Sequence, residues 1–139
     1  MSATDEARRW LGRAEHDLRD IRNNVIGPDA PWDIVCYHAQ QATEKALKAI
    51  LIAHGVAPPR THDCVRLLDA SLPFEATLEQ YREQCARLSG WATRNRYPDD
   101  HTDPDRGEAL ALASRSREIV VSIARSLGVE FTDPLDGSL

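Results

Sequence analysis

Apolar residues in this chain recur at three- and four-residue spacing, and the runs end at glycines or prolines. That period matches one face of an α-helix rather than the alternation of a strand, so the chain reads as all-α. The first helix carries Ala7, Trp10, Ala14, Leu18, Ile21 and Val25 on one stripe, starts at Thr4 as cap, and closes at Gly27-Pro28. The second runs from Trp32 to His54 and stops at Gly55, with Val35, Ala39, Ala42, Ala46, Ala49, Ile50 and Ala53 inward. So many alanines let neighbouring helices approach closely.

After Pro58-Pro59, Thr61 is expected to cap a short third helix through Leu72. A fourth is expected from Glu75 to about Thr93, with Leu78, Tyr81, Cys85, Leu88 and Ala92 in register. Arg94 to Asp103 reads as a polar loop, because Pro98 disfavours helix at Tyr97. The last helix is expected to take Asp103 as cap and Pro104 in its first turn, to bury Ala109, Leu112, Ala113, Val120, Ile123 and Leu127, and to stop at Gly128. Long helices with short links predict an up-and-down four-helix bundle with a short extra helix, spanning residues 4–128, followed by a mobile tail over 129–139.

A length of 139 residues leaves room for one core and no second catalytic domain. The balance of 17 Lys and Arg against 22 Asp and Glu, a net −5, gives no general field for nucleic acid or an anionic membrane, so any polyanion site must be local. Cys36, Cys64 and Cys85 sit far apart within apolar patterns and read as buried thiols of a reducing, cytoplasmic compartment. No stretch matches a membrane span, and the charged start from Met1 to Trp10 does not read as a signal peptide.

Four places carry chemistry. On the second helix, His38, Gln41, Lys45 and Lys48 fall within roughly an 80° arc away from the alanine face, and the two lysines are the only ones in the chain. Such a ridge suits a phosphate or nucleotide edge, although a solvated helix face with a Glu44–Lys48 pair fits the same spacing. Asp17 lies on the inward stripe of the first helix and needs a buried partner, Arg or His. His62 follows Thr61 at the third helix and either lines a site or bonds a loop carbonyl.

The densest set is Arg94, Asn95, Arg96, Tyr97, Pro98, Asp99, Asp100 and His101. Arginine and histidine converging on a phosphodiester suit metal-independent RNA cleavage, with two chains supplying acid and base. A scaffold role fits equally: Arg96 pairing with Asp17, Tyr97 packing on the bundle end, the aspartates capping the next helix. The Asp/His spacing matches no standard metal-binding loop, and nothing in the sequence calls for a cofactor.

Taken together, Trp10, Ala14 and Asp17-Leu18, then Tyr37 through Ala49, then Thr61-His62-Asp63, then Arg96-Tyr97-Pro98-Asp99 resemble the HEPN domain of the Arg-Tyr-Pro-Asp type. The resemblance covers residues 5 to 127. It implies a helical bundle that pairs as a homodimer, binds nucleotide or RNA, and in bacteria and archaea is often encoded beside a minimal nucleotidyltransferase in a toxin–antitoxin-like arrangement. Many such proteins are metal-independent endoribonucleases using an Arg, four to six intervening residues and a His. Arg96 to His101 has four intervening residues and Arg94 to His101 has six, so both fit. Arg96 is followed by Tyr97 rather than a small polar residue, and Asp103 stands where some toxins carry a tyrosine. On the same resemblance His38, Gln41, Lys45, Lys48, His62 and Tyr97 form the nucleotide- or RNA-binding set.

Overall fold

The computed structural model describes residues 2–91, 103–136 and 139, and every described regular element is helical. Helix α1 (Ala3–Asn24) is followed by α2 (Trp32–Ala53), α3 (Cys64–Ser71), a 3₁₀ helix (Ala76–Tyr81), α4 (Arg82–Leu88) and α5 (Arg106–Ser126). The cap of α1 lies two residues ahead of the expected Thr4. The Ser2 hydroxyl accepts from the Asp5 amide at 3.1 Å and the Asp5 carboxylate accepts from the Ser2 amide at 3.4 Å, a reciprocal box that satisfies two otherwise orphaned donors.

Ala7, Leu11, Ala14, Leu18 and Ile21 form the buried stripe of α1, with Trp10 at its half-exposed edge. That stripe packs against α2, which is the central helix. It buries Val35, Cys36, Ala39, Ala42, Ala46, Leu47, Ala49, Ile50 and Leu51 on several sides, and four of these are alanines that let α1 and α5 come close. Ring and ion contacts set the directions. Trp10 meets Lys48 while Asp20 meets His38, so α1 and α2 are antiparallel. Arg106 lies over Trp32 at 5.7 Å and Ser116 bonds Thr43, so α5 runs parallel to α2. Arg115 lies over Tyr81 and Gln84 donates to the Leu112 carbonyl, so α4 is antiparallel to α5. The four principal helices therefore alternate up and down.

Three further expected helix starts differ. The cap of α3 is Asp63, whose carboxylate accepts from the Val65 amide at 2.9 Å, while the Thr61 hydroxyl accepts from the Asp63 amide at 3.0 Å. The expected helix from Glu75 begins instead as a 3₁₀ segment. Thr77 donates to the Glu75 carboxylate at 2.6 Å and Gln80 to the Thr77 carbonyl at 2.9 Å, local bonds that compete with α-helical pairing. Asp105, not Asp103, caps α5, accepting from the Glu108 amide at 2.7 Å, and Pro104 is buried ahead of it. Past Gly128, whose φ of +65° suits a residue without Cβ, the chain lies against the bundle: Val129 and Leu135 are buried and Asp133 pairs with Arg117.

Candidate functional site on the second helix

The polar arc of α2 faces α1 and the start of α3 rather than open solvent. Asp17, 7% exposed at its side chain, reaches across from α1. One of its oxygens bonds His38 Nδ1 at 2.9 Å and the other bonds Lys45 Nζ at 2.6 Å. Both carboxylate oxygens thus have partners from α2; Arg96, the other partner weighed for Asp17, lies outside the described residues. Asp17 points inward as its register predicts, and the bound cation offsets part of the cost of burying it.

On α2 itself, between His38 and Lys45, Glu44 is 5% exposed at its side chain and collects three donors. Gln40 Nε2 lies at 3.1 Å, Lys48 Nζ at 3.1 Å and His62 Nδ1 at 2.8 Å. Gln40 also donates to the His62 carbonyl at 3.1 Å and is contacted by Gln41 at 2.6 Å. The Glu44–Lys48 pair expected from its spacing is present, but as part of a buried network and not on a solvated face. Gln40 and Glu44 share a stripe with the buried Leu47 and Leu51, and that shared spacing was the signal that could have placed Glu44 inside.

Beneath this network lies Cys64, 3.8 Å from Gln40 Nε2. Burial pushes its thiol well up from the ordinary range, with the neighbouring Cys85 and the Glu44 charge adding to the effect. Burial likewise raises Cys85, to about 12. Both thiols, with Cys36, are unbridged and buried, as the sequence indicated.

Arg94, Arg96, Tyr97 and His101 lie outside the described residues. Their described flanks are fixed to the bundle. On one side the Ser89 hydroxyl donates to the Asp63 carboxylate at 3.1 Å, beside His62; on the other, Arg106 lies over Trp32 at the start of α2. At the other end of α2, a groove of about 580 Å³ is lined by Trp10, Lys48, Ile52, Val56, Pro59 and Arg60, among others. Asp17, Asp20 and His38 bring ligand-type atoms within 4.8 Å of one another, and Lys45 already supplies positive charge to Asp17. No helix among the described residues is long and apolar enough to cross a membrane.

A bundle whose central helix binds two buried acids through the His38 to Lys48 segment, with Thr61-His62-Asp63 locked onto it, defines an all-α helical domain with a polar seam. The model of the HEPN domain matches residues 7–126, and the chain belongs to that family. Membership places it among proteins of nucleotide- or RNA-related function that commonly act as dimers. Comparison with curated proteins and with solved structures gives no match.

Proposed function

We propose that the chain is an RNA- or nucleotide-binding protein that works as a homodimer in the cytoplasm and cleaves RNA without a metal or other cofactor. His101 acts with Arg96 or Arg94, and the partner's His101 completes the site. The observation that carries this reading is the engagement of the α2 cations. His38, Lys45 and Lys48 are each bound to Asp17 or Glu44, so these cations are already committed within the fold and the cleavage chemistry is assigned to the Arg94–His101 stretch. The family match encloses that stretch entirely.

In this reading the 2′-hydroxyl attacks the adjacent phosphorus as its proton leaves, the P–O5′ bond breaks, and the 5′-oxygen takes up a proton. One His101 handles the first transfer and the partner's His101 the second, while an arginine stabilises the charge that grows on the phosphoryl oxygens. Gln41, Tyr97 and His62 contact RNA; His38, Lys45 and Lys48 support the helix that presents it.

The test is cleavage of a mixed RNA pool in EDTA by the parent protein and by His101→Ala, Arg94→Ala and Arg96→Ala. Cleavage that disappears with His101→Ala, while the helical melt persists, supports the reading, and the arginine variants choose between the two spacings. No cleavage by a folded dimer rejects catalysis.

A second reading has one observation in its favour. The groove between Trp10 and the Pro58-Pro59 turn is largely apolar and open, as a protein-binding surface would be. In that reading the chain is a non-catalytic partner of a separately encoded minimal nucleotidyltransferase, and co-purification of that partner without RNase activity supports it.

A further inference from the structure

Four basic groups belong to the α2 network: His38, Lys45, Lys48 and His62. Their side-chain exposures are 19%, 22%, 14% and 59%, so His62 alone of the four presents most of its surface outward. Its inner nitrogen is not free. Nδ1 lies 2.8 Å from the Glu44 carboxylate, which as a carboxylate can only accept, so the proton of a neutral His62 sits on Nδ1 and the lone pair on Nε2.

The orienting acid is itself immobilised. Glu44 is held by Gln40 and Lys48 from its own helix, and the His62 backbone is tied to Gln40 through its carbonyl. Next to it, Asp63 caps α3 and accepts from Ser89, so the ring stands at a junction of α2, α3 and the end of α4. A buried carboxylate orienting an exposed imidazole fixes which nitrogen faces a ligand. A neutral Nε2 accepts from a ribose hydroxyl, and a protonated one donates to a phosphate oxygen.

We infer that His62, held in one tautomer by Glu44, is a direct contact for the sugar-phosphate backbone of bound single-stranded RNA. Glu44 is its positioning residue. The inference rests on the RNA-binding reading above and adds to it the atom through which His62 meets RNA and the acid that orients it.

The test uses the full chain labelled with ¹⁵N-histidine, in the His101→Ala background so that RNA stays intact, titrated with a short single-stranded RNA in EDTA. Before RNA is added, the His62 nitrogen shifts should report the Nδ1–H form, and Glu44→Gln should mix the tautomers. On titration the His62 signals should move saturably. His62→Ala should weaken RNA binding about 10-fold, the scale of one hydrogen bond to a charged group, and His16→Ala, on the exposed face of α1, should leave it unchanged. His62→Gln, checked by its thermal melt, guards against a folding defect.

RNA that binds while His62 stays unmoved, with His62→Ala at parental affinity, overturns this inference and leaves the RNA-binding reading standing. RNA that moves His62 but is not cleaved by the parent upholds it and rejects catalysis. Failure to bind RNA overturns both.

Discussion

Two acid clusters share the polar face of α2, one built on Asp17 of α1 and the other on Glu44 of α2 itself, and their difference separates structure from presentation. Around Asp17, a histidine and a lysine close over a carboxylate between α1 and α2, and the imidazole is four-fifths covered. Around Glu44, a lysine, a glutamine and a histidine do the same, but the imidazole comes from the chain entering α3 and stands in solvent. The partner chemistry is nearly identical. What differs is where the histidine comes from: one on a long helix facing another long helix is enclosed, whereas one at a helix start is covered on one side only. The Asp17 cluster therefore fixes the register of α1 on α2, and the Glu44 cluster holds out a group.

If that contrast is right, the largest effect belongs to Asp17. Asp17→Ala removes one buried acid and leaves two part-buried partners, His38 and Lys45, without it, so thermal or urea unfolding should show a loss of about 3 kcal/mol, the lower end of what breaking a buried pair costs. A change within about 0.5 kcal/mol, as at an ordinary surface site, would mean that the pair is not closed and the comparison fails.

The sequence announced one side of this contrast better than the other. Asp17 was legible because it falls on the same stripe as Ala14 and Ile21, and an acid on an apolar stripe must find a partner. Its partners were not, since they come from residues 21 and 28 positions away and the spacing of α2 alone left its polar arc looking solvated. Helix number, order and alternation followed from periodicity. Helix starts did not, because Ser2, Thr61, Asp63, Asp103 and Asp105 are all competent caps and only the backbone path decides among them. The relation of Arg94, Arg96 and His101 to the seam depends on tertiary placement, which spacing does not encode.

A second way to sharpen the contrast is alkaline titration. Cys64 lies under the Glu44 network, and Cys64 and Cys85 both have thiol values raised by burial, Cys85 from 9.0 to about 12. In the unfolded chain these thiols lose their protons near pH 9, whereas in the fold they keep them. The folded state binds more protons across that window, so stability is full below pH 9 and falls as pH climbs toward 12. Cys85 alone accounts for up to about 4 kcal/mol at the top of the window. Cys85→Ala should flatten the decline in a urea-unfolding series from pH 8 to 11, and a slope identical to that of the parent would count against burial as its cause.

Next in size is His38→Ala. Asp17 keeps Lys45, so no charge is stranded, and what is lost is one part-buried hydrogen bond to a charged group, about 1.5 kcal/mol. Lys45→Ala should destabilise more than His38→Ala, because it takes away the cation that compensates the buried acid. The reverse order would mean that the imidazole is the main partner of Asp17.

The smallest expected change is at His62. Glu44 retains Gln40 and Lys48 after His62→Ala, and the ring being removed is mostly in water. Little apolar area is exposed and no cation is left without its acid, so unfolding should shift by no more than about 0.5–1 kcal/mol. The measurement is a pair of urea curves for His38→Ala and His62→Ala in the same buffer. A larger loss at His62 than at His38 would show that the Glu44 cluster, too, is mainly a structural clasp, with His62 pinning α3 to α2. The predicted order, with His62 the milder of the two, leaves that imidazole free to meet a ligand from solvent, because its removal costs the fold less than the equivalent change one cluster away.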